Sequence, residues 1–351
     1  MTLDHVIIRD NSAGNGYPAG NGGGIFNAFG STLNIQNSLI ENNRAGNDTN
    51  SSTYQSWAGS GGGISVWAGL SMAINNTTIT NNHAGTGGSG PNSYGGYGGG
   101  IDFFLYSESD TYGIISNSTI SDNTAGANTL YLGASGGSGG GISTSGSYNL
   151  ILVNCTISGN SSGSGSTGGP GWGGGIYASG NVIIRYSTIY NNRIGSAPGP
   201  NYGAGGGLYV TDRGSVTLGS SILAGNTDSQ DYAYAPDCYS TIPIISEDYN
   251  LIGNTQYCPL TPIPIHSILN PVGFSLPPLG NHGGLTQTHP LPAGNLAVDR
   301  IPFGVAGCGT TFTDDQRGYT RPVNSNGTGT TACDIGAYEL QWLGYLPMIV
   351  K

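Results

Sequence analysis

Hydrophobic and polar positions alternate in short bursts along this chain. In NVIIRYSTIYNN (181–192), Val182, Ile184 and Ile189 fall on one side, with Arg185 and Tyr190 on the other. Met72, Ile74 and Ile79 occupy the same places in SMAINNTTITNN (71–82). β-Branched residues dominate these bursts and no helical period is present, so the pattern predicts short strands. The bursts recur. Ile or Leu followed three residues later by Asn occurs at Ile8/Asn11, Ile40/Asn43, Ile79/Asn82, Ile120/Asn123, Ile157/Asn160, Ile189/Asn192 and Leu223/Asn226, at spacings of 32, 39, 41, 37, 32 and 34 residues. From the second copy onward each is preceded by a glycine-led strand, at Gly24-Ile25, Gly63-Ile64, Gly100-Ile101, Gly141-Ile142, Gly175-Ile176 and Gly207-Leu208.

The distance from that Ile or Leu to the anchor residue is nearly constant (15, 15, 19, 15, 13 and 15), whereas the stretch from each Asn to the next glycine run varies. A fixed half with a variable half describes a scaffold carrying insertions on one edge. A repeat of this length describes a solenoid. Three short strands per turn, closed by Gly and Asn corners, predict an all-β fold, a parallel β-helix whose coils stack about 4.8 Å apart. Asn is expected at the corners because it tolerates the left-handed conformation of a sharp bend. The stacked amides of Asn11, Asn43, Asn82, Asn123, Asn160, Asn192 and Asn226 are expected to bond from coil to coil. The glycine runs lack the strand-then-helix setting of a phosphate-binding loop and read as flat, crowded corners.

Residues 1–226 are thus expected to form about seven coils, and 227–351 a region of C-terminal coils and a cap. The reason is proline. Thirteen of the 18 prolines lie beyond residue 226, and proline cannot continue a strand ladder. Four of the five cysteines lie there too. Sequence proximity favours Cys238–Cys258 and Cys308–Cys333 among the three possible pairings, and disulfides imply an oxidising compartment. Cys155 replaces a Ser or Thr two residues before an anchor Ile and is expected to be a small buried thiol.

Composition narrows the function classes. There are 64 Gly among 351 residues, only 8% of residues are charged, and the net charge is −10. The excess negative charge argues against nucleic acid and anionic membrane surfaces as partners. No apolar run reaches the ~18 residues of a membrane span. No secretory signal is visible in MTLDHVIIRDN, which already reads as strand, and the expectation is a chain that begins inside a longer secreted protein.

The variable insertions bring aromatics: Tyr17, Tyr54, Trp57, Tyr94, Tyr97, Tyr131, Trp172 and Tyr202. Leaving the solenoid at one corner, they should lie along one edge. They form either a platform for sugar rings or protein, for which Tyr17, Trp57, Tyr97, Tyr131, Trp172 and Tyr202 are the candidate residues, or a set of lids over the apolar core. Catalytic signals are thin. Asp102, Glu108, Asp110, Asp122 and Asp212, with Arg185, Arg193 and Arg213, do not recur at matching places in adjacent coils, as a lyase or paired-carboxylate hydrolase site requires. His5, His83, His266, His282 and His289 lack metal-ligand spacing, so no metal and no cofactor is expected. Asp314, Asp315, Arg317, Arg321, Asp334 and Glu339 read as an ion-pair network pinning the cap.

PDCYST (236–241), SEDYNLIGNTQYC (246–258), PLGNHGGLTQTHPL (278–291), DQRGYTRP (315–322) and CDIGAYE (333–339) resemble bacterial surface proteins with a choice-of-anchor Q domain. The GGGI and STI-x-x-N-x-AG phrases resemble polymorphic outer-membrane protein repeats and other pectate-lyase-like β-helices. The resemblance spans nearly the whole chain. It implies a right-handed β-helix, secretion and attachment to a cell surface, with no shared enzymatic activity. The chain departs from the family pattern in LAVDR (296–300) and in its ending, WLGYLPMIVK, which carries neither a sortase-type signal nor a long hydrophobic tail. The leading expectation is a non-enzymatic extracellular structural or adhesive protein. Residues 341–351 would supply a strand to a neighbouring copy, giving head-to-tail filaments. A carbohydrate-binding module using the aromatic edge is the alternative, and a polysaccharide lyase or hydrolase the weaker one.

Overall fold

The computed structural model describes residues 1–49, 55–67, 71–91, 93–104, 112–146, 148–198, 203–228, 236–325 and 331–341. Three parallel sheets run along the axis of a β-helix, and each coil but the first and last contributes one strand to each. A glycine-led sheet joins seven strands from Ile25–Asn27 to Cys238–Ser240. A middle sheet joins nine from Thr2–Asp4 to Leu260–Thr261, and an asparagine-side sheet nine from Ile7–Arg9 to Ile268–Leu269. Register is strict. Ile40, Ile79, Ile120, Ile157, Ile189 and Leu223 sit directly above one another, as do Ile64, Ile101, Ile142, Ile176 and Leu208. These anchors form one continuous buried core. Where Gly113 interrupts the middle-sheet column, the Tyr148 ring occupies the space a side chain would take.

Two polar ladders run inside the corners. Each ladder Asn donates its backbone N–H and its Nδ2 to the Oδ1 of the next, from Asn11 through Asn226 at 2.9–3.1 Å. The ladder stops on Asp237, whose Oδ1 accepts both donors of Asn226. A carboxylate only accepts, so it terminates a chain of donors without requiring a further partner. At the preceding corner Ser38, Thr77, Ser118, Cys155, Ser187 and Ser221 form the second column, most of them accepting a backbone N–H from the coil before. Cys155 occupies a hydroxyl position there, and burial pushes its thiol up to about 12.

The left-handed residue of the Asn corner is not the ladder Asn. It is the residue just before it: Asp10, Asn42, Asn81, Asp122, Gly159, Asn191 and Gly225 all have positive φ. In each Asn pair the first residue makes the bend and the second points inward to stack. A second left-handed column, His5, Asn37, Asn76, Asn117, Asn154, Tyr186 and Ser220, turns the chain from the middle to the asparagine-side sheet.

Glycines close the necks of the insertions. Gly14, Gly20, Gly46, Gly59, Gly85, Gly96, Gly126, Gly137, Gly163 and Gly171 alternate between the outgoing and returning limbs. After the first, each N–H donates to the preceding carbonyl in that series at 2.7–2.9 Å. A Cβ on Gly126 would lie 1.8 Å from the Gly85 oxygen, a separation no real side chain tolerates. The zip explains how insertions vary in length while the register stays fixed.

The stacking continues past residue 226. Strands Ile244–Ser246, Leu251–Ile252, Leu260–Thr261 and Ile268–Leu269 extend two of the sheets, with Pro243, Pro259 and Pro262 flanking strands rather than lying inside them. The regular solenoid therefore ends near residue 269, later than the proline content suggests. Disulfide Cys238–Cys258 ties these last coils together, and Cys308–Cys333 closes the following region. The described residues that follow, 274–325 and 331–341, do not sit over the end of the solenoid. They lie along its flank as a saddle on the outward face of the asparagine-side sheet. Leu276, Leu291, Ala297, Ile301 and Ile335 pack there with Tyr186, Ile222 and Leu251 in a second core.

Candidate functional site

On a glycine-led strand the first residue points inward and the second outward. Exact register therefore stacks the second residues of successive coils into one outward column: Phe26, Ser65, Asp102, Ser143, Tyr177, Tyr209 and Tyr239. Its C-terminal half is aromatic. Tyr177 and Tyr209 stack at 5.7 Å between centroids, and Tyr209 and Tyr239 at 5.2 Å, parallel within 10° and 8°. Insertions add to it. Trp172 stacks on Tyr209 at 5.2 Å and 10°, Tyr97 leans against Tyr177 at 6.0 Å, and Tyr257 follows Tyr239 at 6.0 Å. Trp172 is 43% exposed, so with one face on Tyr209 it presents the rest of the indole to solvent. The loop residues Asp212 and Arg213 act electrostatically on Tyr177, which places charge beside the rings.

Asp102 sits in this column between Ser65 and Ser143, all three buried although they point outward from the sheet. Burial pushes its carboxyl up to about 7, while a hydrogen bond with the Ser143 side chain acts in the opposite direction. Burial also raises the Tyr97 phenol, with the charge of Asp102 adding to the effect. Asp102 thus titrates around neutrality, beside the Tyr97 ring. Its in-register neighbours are serines, so the column holds no second carboxylate to pair with it.

The sequence-derived aromatic edge divides into separate groups. Trp172 and Tyr97 join the column. Trp57 instead stacks on Tyr94 of the adjacent insertion at 6.2 Å. Tyr17 and Tyr131 are exposed elsewhere on the loop edge. Tyr54 and Tyr202 lie outside the described residues, as do Glu108 and Asp110. Sequence reasoning missed Tyr177, Tyr209 and Tyr239. Their signal was an aromatic immediately after the inward anchor in three successive copies, Ile176-Tyr177, Leu208-Tyr209 and Cys238-Tyr239.

The remaining charged candidates are mostly structural. Arg185 makes two bonds to Glu247 at 2.5 and 2.6 Å, and Asp122 feels the charge of Arg193. In the saddle, Arg317 bonds Asp315 and the carbonyls of His282 and Glu339, with its guanidinium between the rings of Tyr319 and Tyr338. Arg321, fully buried, donates to the carbonyls of Asp334 and Gly336 and lies 3.6 Å from Glu339. Asp314 stands outside this network and is exposed. His289 accepts from or donates to Ser158 at 2.8 Å and meets the Pro277 carbonyl at 2.7 Å. The carbonyl only accepts, so Nδ1 carries the proton and Nε2 accepts from Ser158. Among the described residues no group of three or more His, Cys, Asp or Glu is placed to hold a metal ion, and no helix is long and apolar enough to cross a membrane.

Residues 99–242 match a family model described as a right handed beta helix region. No curated protein and no solved structure matches the chain. The stacked parallel sheets and that match together make the fold a right-handed parallel β-helix.

Proposed function

We propose that this chain is a non-enzymatic, extracellular adhesive β-helix that binds neutral glycan along its outward aromatic column. The observation that carries the reading is the run of parallel rings formed by Trp172, Tyr177, Tyr209 and Tyr239 on one face of the solenoid. The solvent-facing part of the Trp172 indole can pack on the C–H face of a sugar, while the stacked tyrosines present ring edges and phenol groups to its hydroxyls. A net charge of −10 favours neutral over acidic sugars. The two disulfides support an oxidising, extracellular setting. The sequence resemblance to surface proteins with a choice-of-anchor Q domain supports display on a cell surface. A glycan array probed with wild type, Trp172→Ala and Tyr209→Ala tests the reading. Binding to neutral glycans that both substitutions weaken about tenfold or more agrees with it. An array without neutral ligands, or binding indifferent to both substitutions, refutes it.

One observation favours a second reading, a polysaccharide hydrolase: the buried carboxyl of Asp102 within the same column, which burial pushes up to about 7. Glycoside hydrolysis ordinarily needs a second carboxylate about 5–10 Å away, and the column supplies serine there. Release of reducing ends by wild type but not by Asp102→Asn would establish the enzymatic reading.

A further inference from the structure

An open cleft of about 420 Å³ lies between the saddle and the solenoid, lined by none of the residues of the aromatic column. One wall is the left-handed corner column, where Asn76, Asn117 and Asn154 rise one above another. The other is the saddle loop carrying Phe312, Thr313 and Asp314, with Leu285 exposed at the side. Asn154 is only 7% exposed. Its Nδ2 donates to the Asp314 carbonyl at 2.9 Å, which fixes the orientation of the amide. Oδ1 is therefore the other atom, and no protein donor reaches it although it is buried. A buried acceptor without a partner is costly, and native folds rarely leave one in place.

We propose that this cleft is a binding site for a small neutral polyhydroxylated ligand, a mono- or disaccharide, with a ligand hydroxyl donating to Asn154 Oδ1. The lining chemistry selects this class. Amides, threonine hydroxyls and the Asp314 carboxylate hydrogen-bond hydroxyl groups in either direction or as acceptors, and Leu285 and Phe312 offer apolar surface to a sugar face. Arg317, the one cation among the described lining residues, is committed to Asp315, to two carbonyls and to two rings, so an anion would find no free partner there. The volume lies in the range of small-molecule sites. This site does not depend on the glycan column.

The test is ligand-observed NMR with glucose, galactose, mannose and N-acetylglucosamine on wild type, Asn154→Gly and Asp314→Ala. Glycine suits the left-handed backbone of residue 154, where φ is 50°, and Asp314→Ala keeps the carbonyl that Asn154 uses. In a Trp172→Ala background, which removes the contribution of the column, the site predicts saturable binding of at least one sugar, weakened about tenfold by Asn154→Gly and about threefold by Asp314→Ala. Absence of saturable binding by all four sugars overturns the proposal. So does binding that survives both cleft substitutions, binding that Trp172→Ala abolishes, or a Ca²⁺ ion that displaces the sugar.

Discussion

The solenoid and the saddle hold the same chain together by opposite means. In the solenoid a residue is stabilised by its own counterpart in the next coil: Asn123 by Asn160, Ile120 by Ile157, Ile142 by Ile176. In the saddle no partner repeats. Arg321 meets two carbonyls, a carboxylate and the Tyr186 ring, each a different kind of group. Repetition tolerates insertions of any length outside the zipped necks, and so it can carry a column of rings. A one-off network instead fixes one surface in one place, which is what a cleft of fixed shape needs.

Glycine separates the two regions most sharply. Gly126→Ala would press a methyl group into the Gly85 carbonyl and the Gly96 nitrogen, both backbone atoms that cannot swing aside. The expected loss is about 4 kcal/mol or more, or failure to fold, measured by urea unfolding. At Gly294 in the saddle, where φ is 80°, a Cβ would meet no other atom within 4 Å. There Gly294→Ala should cost only about 1 kcal/mol, from its own backbone strain. Equal losses at the two sites would erase the distinction.

Arg321→Met comes next. It leaves the Glu339 carboxylate buried without its cation and should cost about 3–5 kcal/mol. Hydrogen exchange should show lost protection at 315–339 with the asparagine-side strands intact. Asn123→Ala strips the acceptor from both donors of Asn82 and should cost about 2–3 kcal/mol. Its loss of protection should fall on the neighbouring coils instead.

The smallest expected effect is one of pH. Burial raises Asp102 and Glu339 to about 7 and Asp237 to about 6, and raises Asp334 with the help of Glu339. These groups hold their protons more tightly folded than unfolded. The stability they confer is full below the unfolded carboxylate range and is lost as pH rises through the folded values. His83 and His289, lowered chiefly by burial, act oppositely once pH falls through their unfolded value. The melting temperature should therefore climb as pH drops from about 8 to about 6.5. Asp102→Asn should raise stability most at pH 8 and less at pH 5, and should leave it unchanged only below the ordinary carboxylate range. A melting temperature independent of pH over that range would contradict these burial effects.

Much of the solenoid was legible because its signals are local and repeated. The Ile-x-x-Asn phrase names both the inward anchor and the ladder residue. The division of labour within each Asn pair was not legible, since composition alone does not say which Asn bends and which stacks. The glycine zip is invisible in sequence because its reason is contact between coils, whereas a single coil shows only a turn-forming residue. The saddle was the least legible part. Thr119, Thr156 and Thr188 face outward yet are buried, because Gln287, Gln316 and Ala337 bond them from 149 to 168 residues away. Small hydroxyl residues at those outward places were the one hint that a second layer covers them. The ring column is hidden because its tyrosines sit singly on strands, one per coil, beneath loops whose aromatics are more conspicuous.

The most direct test of the account is equilibrium binding of the tightest array glycan to Tyr209→Ala and Arg321→Met, measured side by side with their thermal melts. The account predicts that Tyr209→Ala loses binding while keeping its fold, and that Arg321→Met keeps binding while melting earlier. Binding retained by Tyr209→Ala and lost by Arg321→Met would place recognition on the saddle and contradict it.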